Sequence, residues 1–287
     1  STRKESSAAS DVYKRQYLPA AKQGETAHRY VLGLYHIMDE LTTRFPEILF
    51  EGCSSGGNRF DLGILNYFPQ IWASDNTDAL CRTGIQNSYS YGYPLSVFTA
   101  HVSSCPNHQT LRITPLETRF QVASFGILGY ECNLKDLSGS ELNAIREQIA
   151  LYKKWRDLFQ FGTFYRGTEN EDSDSETLSW TCVSPDGRRA VGLFFRRLTT
   201  PNQSHDWYRP AGLLPDVKYH FYGRNIKYNL KDFGDLVNTV SPVHIKQGSA
   251  LQEILSRFVN MDGEKEDLTA YGDTPVSYTH LTLPTTP

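Results

Sequence analysis

Two carboxylates lie close together directly after an aromatic, strand-like segment. Asp75 and Asp78 follow Trp72 in the run WASDNTD. A carboxyl group beside an indole loses hydration, which raises its pKa and suits it to act as a general acid. Ser74 or Asp75 would also serve to cap a following helix, and on these residues alone capping is favoured over catalysis.

A glycine-rich loop stands earlier in the chain, where residues 53–58 read CSSGGN. Glycine lets the backbone turn tightly and approach a ligand closely, so that amide groups can donate to sugar or other hydroxyl groups. An ordinary glycine-rich turn is the competing interpretation, and the loop by itself does not choose between them.

Metal sites are not predicted. His101, Cys105 and His108 offer zinc ligands, but their spacing fits neither of the usual paired motifs, which favours structural histidines. The acidic run 169–176 (ENEDSDSE) lacks the ligand spacing and the glycine of an EF-hand, so a solvated loop is the prediction there. No cofactor is predicted either.

Alternating strands and helices are predicted to position these residues. Tyr30, Leu34, Ile37, Leu41 and Phe45 recur at the spacing of one helix face. Short apolar runs separate this helix from the next ones, which is typical of a parallel sheet in a barrel or a doubly wound fold. The predicted strands are 48–50, 69–72, 95–102 and 127–130, and the predicted helices are 25–45, 78–91, 115–125 and one that opens at the capping-box pattern of Ser138 and Glu141.

The pattern changes after the acidic run. Residues 178–183, 190–195 and 218–222 read as strands, separated by turn signals such as Pro185-Asp186-Gly187. A second, mainly antiparallel domain is predicted.

Three segments together resemble the central blocks of glycoside hydrolase family 36 α-galactosidases: ILFEGCSSGGNRFDLGILNYFPQIWASDNTDA, FTAHVSSCPNHQTLRITPLETRFQVAS and GILGYECNL. The resemblance implies an α/β fold, namely the second half of a (β/α)8 TIM barrel followed by a C-terminal antiparallel β-sandwich. It implies retaining hydrolysis of terminal α-linked galactose from melibiose and raffinose-type oligosaccharides. Asp75 would be the acid/base, Cys53 and Gly56 would line the galactose pocket, and Trp72 would wall it. Asp78 and Arg59 would support the loops.

Two departures from the family pattern stand out. Asn58 replaces a glycine found in some relatives, and asparagine is the next best residue for positive φ. The family's nucleophile, the aspartate of a Trp-Asp-Met-Asn motif, has no counterpart in this sequence. The place expected for it falls in residues 1–16, which resemble cloning adapter, with a disordered native tail as the alternative.

The resemblance divides the chain into four parts. Residues 17–165 are predicted to belong to the barrel and 166–273 to the β-sandwich, whereas 1–16 and 274–287 are predicted to be non-native. The chain by itself is expected to be inactive. A non-catalytic carbohydrate-binding or assembly module stays open as an alternative, as do α-N-acetylgalactosaminidase and galactosyl-transfer activities in the parent enzyme. A homotetrameric parent is an implication of the family only.

Composition narrows the partners. A 39% hydrophobic content over 287 residues provides for a sizeable core, and a net charge of -3 offers no broad basic surface for nucleic acid or anionic lipid. No apolar run is long enough to span a bilayer. An odd number of scattered cysteines favours reduced thiols and a cytoplasmic location: Cys53, Cys81, Cys105, Cys132 and Cys182.

Overall fold

A computed structural model describes residues 18–53, 60–167, 176–197, 206–224, 226–263 and 267–278 of the chain. The chain divides into two compact units, residues 1–71 and 72–287, and each is described by itself.

The first unit contains one long helix and the beginning of a parallel sheet. Strand β1 pairs in parallel with β2, with Glu51 opposite Gln70 and Gly52 opposite Ile71. The elements are a 3-10 helix Ala20–Glu25, α1 (Thr26–Arg44), β1 (Glu51–Gly52), a 3-10 turn Ile64–Asn66 and β2 (Gln70–Trp72).

The predicted first helix is confirmed as α1, but its buried face differs from the predicted stripe. Met38 is buried with Ile64 and Ile71 in a core that Leu34 and Tyr35 complete. Ile37 is 57% exposed. Helix α1 carries apolar side chains on more than one face, and the small core of this unit covers only the face around Met38.

The predicted buried strand 48–50 lies slightly too early. Strand β1 occupies Glu51–Gly52, and Leu49 is 86% exposed. Only two residues of this segment pair with β2, so the apolar residues before them stay outside the ladder.

The second unit begins with the predicted strand-helix alternation. Strands β3 and β4 pair in parallel, from Thr99 opposite Ile127 to Ser103 opposite Glu131. Strand β3 begins later than predicted because the residues after Pro94 form a 3-10 turn. The elements are α2 (Ala79–Tyr89), the turn Leu95–Val97, β3 (Phe98–Ser103), α3 (Leu116–Ser124), β4 (Ile127–Glu131), the turn Leu134–Asp136 and α4 (Gly139–Phe161).

The start of α4 confirms the predicted capping box. The Ser138 hydroxyl accepts from the Glu141 backbone N–H, and the Glu141 carboxylate accepts from the Ser138 backbone N–H. Two otherwise unsatisfied donors at the helix start are thereby paired. Ile145 and Tyr152 on the predicted apolar face are buried.

Antiparallel strands follow, as predicted. Strand β6 pairs with β5 and β7 on its two sides, and Gly187 has a positive φ of 69° in the predicted turn between β6 and β7. The elements are β5 (Thr163–Arg166), β6 (Thr177–Val183), β7 (Ala190–Arg196), β8 (Asp206–Tyr208), β9 (Lys218–Tyr222), β10 (Lys227–Asn229), a kinked 3-10 helix Leu230–Thr239, α5 (Ala250–Leu255), β11 (Asn260–Asp262), β12 (Asp267–Tyr271) and β13 (Val276–Tyr278).

The antiparallel sheet packs on the α/β part of the same unit. The rings of Phe125 and Trp180 lie 5.4 Å apart, and the Trp180 indole N–H donates to the Asn87 side chain at 3.1 Å. The sheet therefore supports the ends of α2 and α3. In the part of the chain that the structure describes, no helix is both long and apolar enough to cross a membrane.

Candidate active site

The Asp75 carboxylate lies directly after the carboxyl end of β2. The Trp72 indole N–H donates to Asp75 Oδ1 at 3.1 Å, and Asp75 is half-buried. The indole thus contacts the carboxylate through its polar edge, as a hydrogen-bond donor. The carboxyl ends of parallel strands are where α/β enzymes place their working groups.

Asp75 is not the cap of the following helix, so the capping interpretation is wrong for this residue. The N-cap of α2 is Asp78, whose Oδ1 accepts from the backbone N–H groups of Leu80 and Cys81 at 2.8 and 3.2 Å. Ser74 does not cap the helix either, because its hydroxyl accepts from the backbone N–H of Asn76 at 3.1 Å.

Asp78 is fully buried and heavily hydrogen-bonded, which fits the predicted supporting role. Arg112 Nη1 donates to both carboxylate oxygens at 2.8 Å, and the Thr110 hydroxyl donates to Oδ2. Burial alone would raise the pKa of Asp78, but these donors and the Cys81 backbone N–H lower it below its ordinary value. Asp78 is therefore an anion that fixes the loop, and it has no proton to supply at neutral pH.

Two further side chains lie against the Trp72 ring. The Arg82 guanidinium stands 4.5 Å from the centre of the indole, and the His101 ring centre is 4.6 Å away. Arg82 Nη2 also donates to the backbone carbonyl of Ser74 at 2.7 Å. Burial lowers the pKa of Arg82 to about 10, while Glu131, Tyr89 and Asp75 oppose the shift, so Arg82 remains a cation at neutral pH.

The loop after β3 is tied to the loop that carries Asp75. The Ser103 hydroxyl donates to the Thr77 carbonyl at 3.1 Å, and the Asn107 side chain donates to the Thr77 hydroxyl at 3.0 Å. Asn107 also accepts from the Thr110 backbone N–H at 3.1 Å, which places Thr110 beside the buried Asp78. These bonds connect neighbouring strand ends into one polar framework.

Arg82, Thr110, Arg112 and Glu131 were not predicted as site residues from the sequence. Arg82 had one signal: it lies one turn after Asp78, on the side of the predicted helix that also carries Thr83. Both are buried, at 3% and 0% exposure. The other three are in loops or at a strand end, where the sequence holds no periodic pattern.

The predicted sugar-lining residues cannot be assembled with Asp75. Cys53 follows β1 in the first unit and has an exposed thiol. Gly56 and Arg59 lie outside the described residues. Their roles stay predictions.

The histidines of the region 101–108 do not gather ligands for zinc. The described residues contain no group of three or more His, Cys, Asp or Glu side chains arranged to hold a metal ion. His101 instead stacks on Trp72 and has its Nδ1 3.6 Å from Glu131 Oε2.

Comparison with protein families now places these residues in a known frame. Residues 8–162, more than half of the chain, match the family described as Melibiase, and residues 177–274 match the glycosyl hydrolase family 36 C-terminal domain. The chain belongs to glycoside hydrolase family 36. It comprises part of the (β/α)8 barrel of that family and its C-terminal antiparallel β domain.

Family 36 relatives with curated names are α-galactosidases. The chain is 46% identical over 209 residues to alpha-galactosidase AgaA of Geobacillus stearothermophilus, covering 73% of this chain and 28% of AgaA. It is 47% identical over 210 residues to alpha-galactosidase Mel36A of Lactobacillus acidophilus, with the same two shares.

Solved family 36 structures agree with the fold. A variant of AgaA in complex with raffinose superposes with a TM-score of 0.67 at 46% identity, over 72% of this chain and 28% of that one. The alpha-galactosidase from Lactobacillus brevis gives 0.69 at 35% identity, over 92% of this chain and 34% of that one.

The chain therefore spans only about 28% of the length of its family 36 relatives AgaA and Mel36A. A restored enzyme is the suitable carrier for functional experiments: the part of this chain that aligns with AgaA replaces its counterpart in full-length AgaA. The term "restored enzyme" has this meaning below.

The Asp78–Arg112 pair allows a prediction about stability. Arg112→Met in the restored enzyme should destabilise the fold by about 3 kcal/mol, because it leaves a fully buried carboxylate without its cation. The thermal-unfolding midpoint should fall by several degrees. Arg189→Met is the matched control, since Arg189 and Asp157 form an ion pair in which each side chain is more than half exposed, and such pairs contribute under about 1 kcal/mol.

The same pair predicts a pH dependence. The pKa of Asp78 is lower in the folded state than in the unfolded state, so its stabilisation is complete above about pH 4 and is lost as the pH falls through the folded-state pKa. The difference in midpoint between the parent and Arg112→Met should thus shrink as the pH approaches 4. A difference that is independent of pH would show that Arg112 acts through packing alone.

Proposed function

We propose that this chain is part of a retaining α-galactosidase in which Asp75 is the general acid/base. The observation that carries the proposal is the position of Asp75: a half-buried carboxylate directly after a parallel strand, hydrogen-bonded by Trp72, in a chain 46% identical to AgaA. Asp78, the neighbouring carboxylate, is committed to capping and to Arg112, which leaves Asp75 as the group in this loop that can exchange a proton.

In the first half of the reaction Asp75 acts as an acid. Its carboxyl proton passes to the glycosidic oxygen as the bond to the anomeric carbon breaks, so that the aglycone departs as a neutral alcohol. The Trp72 indole N–H fixes one carboxyl oxygen, which favours presentation of the other to the substrate.

In the second half Asp75 acts as a base. Its carboxylate takes a proton from water while the water oxygen attacks the anomeric carbon and displaces the enzyme carboxylate that had bonded to it. That second carboxylate is the aspartate of the family's Trp-Asp-Met-Asn motif, which this sequence does not contain.

The proposed substrates are melibiose and raffinose-type oligosaccharides with terminal α-linked galactose. The names of the curated relatives and the raffinose complex of the AgaA variant support this class. Cys53, Gly56 and Trp72 are the proposed sugar-lining residues. Turnover of an aryl α-N-acetylgalactosaminide in preference to the galactoside would favour the acetylgalactosaminidase alternative.

The stereochemical course of the reaction tests the proposal. Melibiose hydrolysed by the restored enzyme should yield α-galactose first, followed by slow mutarotation, because two inversions at the anomeric carbon give retention. Proton NMR of the anomeric region resolves the two forms. The proposal fails if β-galactose appears first, or if Asp75→Ala in the restored enzyme leaves turnover unchanged.

One observation favours a second function for the chain as it stands. Without a Trp-Asp-Met-Asn motif it would act at most as a non-catalytic carbohydrate-binding or assembly module. The gene sequence that precedes these codons distinguishes the two, since a motif in frame would make the chain part of a catalytic protein. A cytoplasmic location is also proposed, on the five cysteines, all of which are unpaired thiols.

A further inference from the structure

We propose that Arg82 and His101 are positioning residues for the acid/base: together they hold the Trp72 indole so that its N–H stays on the Asp75 carboxylate. The inference rests on the proposed function of Asp75 and adds the residues that fix its orientation.

Trp72 is the direct link to Asp75. Its indole N–H lies in the plane of the ring, so a rotation of the ring moves the donor away from Asp75 Oδ1, which is now 3.1 Å distant. Trp72 is 8% exposed, and the neighbours that limit its rotation therefore determine where the carboxylate points.

Arg82 contacts both ends of this link. Its guanidinium lies 4.5 Å from the centre of the Trp72 ring, and its Nη2 donates at 2.7 Å to the carbonyl of Ser74, the residue before Asp75. Its Nε and Nη1 are buried and have no hydrogen-bond partner among the described residues. A desolvated cation over an indole face is a favourable contact, and here it also braces the loop that carries Asp75.

His101 restrains the ring from strand β3. The two ring centres are 4.6 Å apart, and His101 Nδ1 lies 3.6 Å from Glu131 Oε2 at the end of β4. The residue opposite His101 in the sheet is Gly129. A Cβ atom at Gly129 would lie 2.5 Å from the imidazole, so glycine makes room for the ring in this position.

A residue that orients the acid affects substrates differently from one that only stabilises the fold. Proton donation matters most when the leaving group is a sugar alkoxide, and little when it is an activated phenolate. A misoriented Asp75 should therefore slow melibiose far more than an aryl galactoside. A mere loss of stability would slow both equally.

The test compares three arginine variants in the restored enzyme. Arg82→Met should lower kcat/KM for melibiose by about tenfold to a hundredfold, and the value for 2,4-dinitrophenyl α-galactoside by less than about threefold. Arg82→Lys, which keeps a cation over the ring, should recover most of the melibiose activity. Arg119→Met is the matched control, because Arg119 is a buried arginine that donates to the Ser103 and Thr114 carbonyls. It should lower the thermal midpoint without changing the ratio of the two substrates.

Trp72→Phe provides a second measurement in case Arg82→Met does not fold. It keeps an aromatic ring for Arg82 and His101 and removes only the donor to Asp75. It should reproduce the substrate-selective loss. Unchanged substrate ratios in Arg82→Met, or in Trp72→Phe if only that variant folds, overturn the inference. Asp75→Asn separates this failure from that of the proposed function: a substrate-selective loss in Asp75→Asn alone sinks the positioning role, and its absence there sinks the role of Asp75 itself.

Discussion

The 287-residue chain by itself should release no measurable nitrophenol from 4-nitrophenyl α-galactoside. The restored enzyme should hydrolyse the same substrate readily. Groups that act as a unit in covalent catalysis are not additive, and loss of the nucleophile removes the bond-forming step, for an expected rate loss of at least about 10⁴-fold. A good leaving group does not compensate, because the substrate already departs without help from the acid.

The control for this comparison is the restored enzyme with alanine in place of the aspartate in its Trp-Asp-Met-Asn motif. It keeps the full barrel and lacks only the nucleophile, so it should be as inactive as the chain. Retaining hydrolysis by the purified chain would contradict the prediction, and would mean that another carboxylate of this sequence serves as the nucleophile.

The order of strands and helices was predictable because local signals mark the element ends. The capping box at Ser138 and the turn at Gly187 fix boundaries through hydrogen bonds between residues close in sequence. Which face is buried was less predictable. In α2 the buried face carries Arg82, Thr83 and Gln86, which an apolar pattern does not mark. Gln86 is buried because its amide donates to the carbonyls of Val122 and Phe125, each at 3.0 Å.

The candidate site was predictable to the same local extent. Trp72 and Asp75 are three residues apart, so their hydrogen bond could be anticipated from the spacing. The partners that fix them come from elsewhere: His101 is brought to the Trp72 ring by strand β3, and Arg112 reaches Asp78 across 34 residues. No composition or period in the sequence encodes such contacts, since they depend on how neighbouring strand ends meet.

Asp75→Asn in the restored enzyme should separate substrates by their leaving groups. Asparagine retains an oxygen that can accept from the Trp72 indole N–H, so the loop should keep its shape while the proton is lost. For melibiose kcat/KM should fall by about 10³-fold, within the usual contribution of general acid catalysis. For 2,4-dinitrophenyl α-galactoside the galactosyl-enzyme should still form at nearly the normal rate, because this phenolate departs without protonation.

The second step then becomes limiting, since water is no longer deprotonated. Azide needs no base, so its addition should restore turnover of the aryl substrate and produce α-galactosyl azide, the anomer expected when attack by the nucleophile and attack by azide each invert the anomeric carbon. Asp78→Asn is the matched control from the same loop. Because Asp78 is buried against Arg112, this variant should lose stability and slow both substrates alike, without rescue by azide. Equal losses and no azide product from Asp75→Asn would assign Asp75 the same structural role as Asp78, and the acid/base would then have to be sought on another strand end.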